Sequence, residues 1–106
     1  MSCIVHVALP NTPECRRICN IALEKRLAAA AHFYENTTTA YWWEGSIRES
    51  KELIVAFITT DFKYNALSEY ILSEHPYEVP CIMKVDMDCA HMPFLDWIHK
   101  STTTSD

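Results

Sequence analysis

Six consecutive residues, Leu53-Ile54-Val55-Ala56-Phe57-Ile58, are apolar. Successive side chains of a strand point to opposite faces, so this run makes a strand that is apolar on both. Such a strand needs a covering layer on each side. Helices of the same chain can supply one layer. A chain of 106 residues has little left for the other, so the run already points to a partner subunit.

The flanking sequence supplies the helices and the remaining strands. Residues 3–9 are short and apolar and read as a strand. Asn11-Thr12-Pro13-Glu14 has the composition of a helix start, and apolar residues from Ile18 to Ala30 recur at helical offsets, which predicts a helix over 12–30. Residues 31–43 are aromatic and β-branched, and 47–60 follow after Glu44-Gly45-Ser46, which predicts a hairpin turning at Gly45. Asp61 is placed to cap a second helix that Pro76 ends. Residues 78–87 alternate as a strand, with Pro80 marking a sheet edge. In that strand Cys81, Met83 and Met87 share a face and are expected to pack as core. Pro93 opens a short third helix, and Ser101–Asp106 reads as a polar, frayed tail. The order β-α-β-β-α-β plus a terminal helix is the split βαβ plan, an α+β ferredoxin-like sandwich.

Composition limits what such a domain can do. With 49% hydrophobic and 22% charged residues, the chain reads as one folded domain over 1–106. Its formal net charge is −5 and no basic run exceeds two residues, which disfavours nucleic acid and anionic membrane surfaces. No apolar run approaches a spanning length. The single glycine, Gly45, excludes the glycine-rich phosphate loops and the G-x-S-x-G nucleophile elbow. Five cysteines without a C-x-x-C pair read as reduced thiols, and the N-terminus lacks secretory features, so a cytoplasmic setting is expected. No nucleophile–base–orienter set is marked, so the expectation is that the protein is not an enzyme.

Four segments carry a specific resemblance: Arg26-Leu27-Ala28-Ala29, Tyr41-Trp42-Trp43-Glu44-Gly45, His75-Pro76-Tyr77-Glu78-Val79-Pro80 and Leu95-Asp96-Trp97. Together they resemble the CutA family of divalent-cation-tolerance proteins over about residues 4–98. The resemblance implies a ferredoxin-like subunit in a homotrimer, with strands pairing across subunits and a likeness to the PII signalling proteins. It brings no established enzymatic activity, and it implies binding of copper or another divalent metal. The chain departs from the family pattern at several points. A His-His pair of bacterial members corresponds to Glu74-His75, a family Glu falls on Cys81, and family glycines fall on Asn36 and Ala90.

Two candidate sites follow. A metal could be held by His75 with Glu74 and Cys81, since imidazole, carboxylate and thiolate are all metal ligands, against the leading alternative that His75 closes the end of the second helix by bonding a last carbonyl. The stretch 81–92 adds Met83, Met87, Cys89, His91 and Met92 as soft ligands, against the alternative that several are core. The second candidate is a small-ligand pocket or interface between subunits, formed by Tyr41, Trp43, Tyr77 and Trp97, because aromatic rings with polar tips are enriched at interfaces. Cys15 and Cys19 lie four apart on one helical face and read as buried small residues facing the sheet.

Overall fold

Seven elements are present in the computed structural model, which describes residues 1–103. They are β1 (Ser2–Pro10), α1 (Pro13–Glu24), β2 (Ala30–Trp43), β3 (Ser46–Thr60), α2 (Asp61–Glu74), β4 (Cys81–Asp86) and α3 (Met92–Thr102). The four strands form one antiparallel sheet in the order β2-β3-β1-β4. The apolar run 53–58 therefore lies in a central strand, and β4, which follows Pro80, is an edge strand.

Helix boundaries follow local chemistry. Thr12 caps α1, its hydroxyl accepting from the Cys15 amide at 3.2 Å, with Pro13 in the first turn. The helix stops at Glu24, short of the expected residue 30. The Arg26 amide donates to the Leu23 carbonyl and the Leu27 amide to that of Ala22, both at 3.0 Å, while Arg26 sits at φ +63. This is a Schellman ending with arginine in the left-handed position usually held by glycine. At α2 the cap is Thr60, whose hydroxyl accepts from the Lys63 amide at 3.3 Å. Asp61, expected as the cap, is instead the first helical residue.

Register assigns the faces. Cys3, Val5, Val7 and Leu9 of β1 lie opposite Thr59, Phe57, Val55 and Leu53 of β3. This face is covered by Cys15, Cys19 and Ala22 of α1 and Leu67 and Ile71 of α2, forming the core. The strand β4 contributes Ile82 to it. Cys81, Met83 and Val85 pair with Ala8, His6 and Ile4 on the opposite, open face. Met83 is half-exposed there, which corrects the expectation that Cys81 and Met83 are core.

The helix α3 packs against β3. Its Ile98 and Thr102 are buried, as are Ile58 and Thr60 at one end of the open face. The expected tail over 101–106 is thus corrected in part: Ser101 and Thr102 belong to α3, and Thr102 is packed because its hydroxyl donates back to the Ile98 carbonyl at 2.9 Å. Residues 104–106 of that expected tail lie outside the described residues.

Beyond Glu52, β3 pairs only with β2 among the described residues, so residues 37–51 project from the sheet as a two-stranded arm. A register shift separates Tyr34 from Thr37, and Asn36 within it takes φ +60. The arm turns through Glu44 at φ +51 and Gly45 at φ +83, between the paired Trp43 and Ser46. Two positive-φ residues in a two-residue loop make the turn whose twist matches that of the strands.

Candidate functional site

The open face ends, at the base of the arm, in a cleft of about 710 Å³, within the range of small-molecule sites. Tyr41 and Trp43 of β2 and Glu52 and Ile54 of β3 line it, together with Tyr77 and Cys81. Period-two alternation explains the set. Tyr41, Trp43 and Glu52 are on the open face by register, while Trp42 and its partner Ile47 point to the other side and are largely exposed.

The loop between α2 and β4 closes one wall, and His75 holds it. The ring Nε2 lies 2.7 Å from the Ala8 carbonyl oxygen, and Nδ1 lies 3.1 Å from the Tyr77 amide nitrogen. A carbonyl can only accept and an amide N–H can only donate, so Nε2 carries the proton and Nδ1 accepts. The Tyr77 ring then tilts over the imidazole at a centroid distance of 4.8 Å. Its phenol donates to Glu52 Oε2 at 2.8 Å.

Glu52 is the residue that sequence reasoning missed. It is only 5% exposed, yet it carries a carboxylate. Among the described residues no Lys, Arg or His lies within ion-pairing distance of it. The signal was available: one residue before the doubly apolar run sits an acid at strand spacing from Ile54. Burial pushes the Tyr77 phenol up, and the hydrogen bond and charge of Glu52 push it further. Burial also raises the Cys81 thiol, with the Glu52 charge adding to the effect.

Tyr41, Trp43 and Tyr77 line one cleft of the single chain, and Trp97 is not among the residues that line it. Trp97 lies on α3, about half-exposed, stacked on Phe94 at 5.8 Å. The metal set also fails to form within one chain. Both ring nitrogens of His75 are engaged, leaving no lone pair for a metal. Glu74 is exposed at the end of α2, and the Cys81 thiol is held toward its protonated form. Among the described residues no group of three or more His, Cys, Asp or Glu is placed to hold a metal ion. Cys15 and Cys19 are buried beneath the sheet, as their spacing suggested.

The fold and cleft define a ferredoxin-like α+β domain with a ligand-sized, aromatic and acidic depression on its open sheet face. Residues 3–101 match the family model of the CutA1 divalent ion tolerance protein, and the chain belongs to that family. The chain is 33% identical over 99 residues to the divalent-cation tolerance protein CutA of Pyrococcus horikoshii, covering 93% of this chain and 96% of that one. It is also 33% identical over 96 residues to the mouse protein CutA, covering 91% of this chain but 54% of the relative. It thus spans nearly all of the archaeal relative and about half of the mouse one. Among solved structures, the divalent cation tolerance protein from Thermus thermophilus superposes with a TM-score of 0.92 at 30% identity, covering 97% of this chain and 100% of that one.

Proposed function

We propose that this CutA-family chain works as a homotrimeric, non-enzymatic binding protein in divalent-ion tolerance, with its open sheet faces turned toward neighbouring subunits. The observation that carries the assembly is the half-exposed apolar surface of the open face, where Tyr34, Met83 and Val85 are each about half accessible. Apolar surface of this kind, set on a sheet with helices on its other side, is suited to burial between subunits. Light scattering tests it: a mass near three times 12.2 kDa is expected, and the double variant M83D/V85D should fall toward the monomer. A wild-type monomer would reject the proposal.

The reading as a binding protein is supported by the thiols. Nucleophilic cysteine needs a lowered pKa, whereas burial pushes Cys3 up to about 11 and Cys19 up to about 12. Five free cysteines also support a reducing, intracellular setting. A role for copper or another divalent metal is supported by the family, but it does not run through His75. Calorimetric titration of the assembled protein with Cu(II) and Zn(II) tests the metal role, and His75→Ala should leave any affinity unchanged. A second reading, a small ligand bound between subunits, is favoured by the cleft and its buried acid.

A further inference from the structure

We infer that the cleft is a binding site for a small organic cation, a primary ammonium whose N–H groups face Glu52 and whose alkyl chain lies against Tyr41 and Trp43. The inference rests on the small-ligand reading of the cleft and names the ligand class.

Three observations converge on it. The first is the carboxylate of Glu52. A carboxylate removed from water requires a counter-charge or several hydrogen bonds. Glu52 is nine-tenths buried, has no cationic partner among the described residues, and accepts only the Tyr77 phenol, on Oε2. Its other oxygen has no donor among the described residues and keeps contact with the solvent of the cleft, where a ligand can reach it. The second is the wall chemistry. Tyr41, Trp43 and Tyr77 present three aromatic rings around the same space, and the faces of such rings attract cations. The third is the sign of the lining. Glu52 and Glu78 face one arginine, Arg48, and Arg48 reaches Glu44 at 3.6 Å on the arm. The acidic excess selects a cation. The free acceptor oxygen of Glu52 favours a primary ammonium over a quaternary one, which has no proton to donate.

The Tyr77 phenol orients the acid. Because it donates to Oε2, it fixes the carboxylate plane against the loop that His75 anchors. The ligand therefore meets a preformed acceptor, which reduces the ordering cost of binding.

The test is calorimetric titration of the full chain, its oligomeric state checked by light scattering, with n-butylammonium, phenethylammonium, tetramethylammonium, n-butanol and butyrate. Both primary ammonium probes should bind, and tetramethylammonium, n-butanol and butyrate should bind at least about ten-fold more weakly. Glu52→Gln keeps an acceptor for Tyr77 and removes the charge, and it should weaken ammonium binding about ten-fold or more. Trp43→Leu leaves the acid in place and should weaken it several-fold. Equal binding of n-butanol, or unchanged affinity in Glu52→Gln, overturns the cation assignment while the cleft reading stands. No binding by any probe overturns both. Binding of Zn(II) alone, lost in Glu52→Gln, overturns the organic cation in favour of a metal.

Discussion

The imidazole of His75 joins two segments 67 residues apart in sequence, donating from Nε2 to the Ala8 carbonyl at 2.7 Å. Its other nitrogen accepts from the Tyr77 amide, so one side chain fixes the loop after α2 to the sheet. In His75→Ala both partners lose their bond. Leaving a part-buried donor and acceptor unsatisfied costs about 1–3 kcal/mol. A fall in the urea midpoint at unchanged slope is the expected reading. A midpoint equal to wild type would mean that water replaces the ring at both contacts.

Stability should decline in alkali, and the sign follows from the buried acids. Burial, followed by the nearby Cys15, raises Cys19 from 9.0 to about 12. Burial, followed by the bond to Asp61, raises Cys3 to about 11. The folded chain thus holds these protons more tightly than the unfolded one, so stability is complete below pH 9 and is lost as pH rises from there through 11 and 12. The raised Tyr77 phenol acts in the same direction above about pH 10. Urea melts between pH 8 and 11 should show a steady loss. Cys19→Ala should start lower at pH 8 and fall less steeply.

Thiol reactivity should separate the five cysteines at neutral pH. Cys89 is exposed, Cys81 is part-buried with a raised thiol, and Cys3, Cys15 and Cys19 are buried. Native protein treated with an aromatic disulfide reagent should release one equivalent rapidly, from Cys89, and a second slowly. The remaining three should react only on unfolding. Cys89→Ser should abolish the fast phase. A fast phase of three equivalents would place the α1 thiols at the surface.

The order of elements and the hairpin were legible because hydrophobic period and turn chemistry are local. The open face was legible from Leu53–Ile58, since the helices of a chain this short leave most of one face uncovered, α3 closing only the end at Ile58 and Thr60. What was not legible depended on neighbours in space. Arg26 carries no mark of a left-handed residue, and only the Schellman bonds to Ala22 and Leu23 reveal it. Cys81 and Met83 have apolar character, but register places them opposite Ala8 and His6 on the open face. Trp97 belongs to a terminal helix whose docking end cannot be read from spacing. His75 reads from the sequence as a helix-end residue first and a metal ligand second, because a sequence shows the imidazole and not the two backbone groups, of Ala8 and Tyr77, that use it. Glu52 carries no mark of burial in the sequence, since charged residues are rarely buried unpaired.

The chain has one glycine and places it in its tightest turn. The loop needs positive φ at both central residues, and Glu44 at φ +51 accepts what Gly45 at φ +83 takes freely. A Cβ added at Gly45 would meet no atom within 4 Å, so Gly45→Ala carries no steric clash with the rest of the chain. Its cost is the left-handed backbone of an L-residue, about 1–2 kcal/mol. Glu44→Asn should act in the opposite direction, because asparagine tolerates this conformation and Asn-Gly is the preferred pair for the turn. It forfeits the Glu44–Arg48 contact at 3.6 Å, which joins two largely exposed groups and is worth at most a few tenths of a kcal/mol. The net expectation is a gain on the order of half a kcal/mol. Thermal melts of the two variants should therefore bracket wild type, with Gly45→Ala below and Glu44→Asn above. If Gly45→Ala melted with wild type, the arm would be frayed at its tip and the turn would contribute nothing to stability.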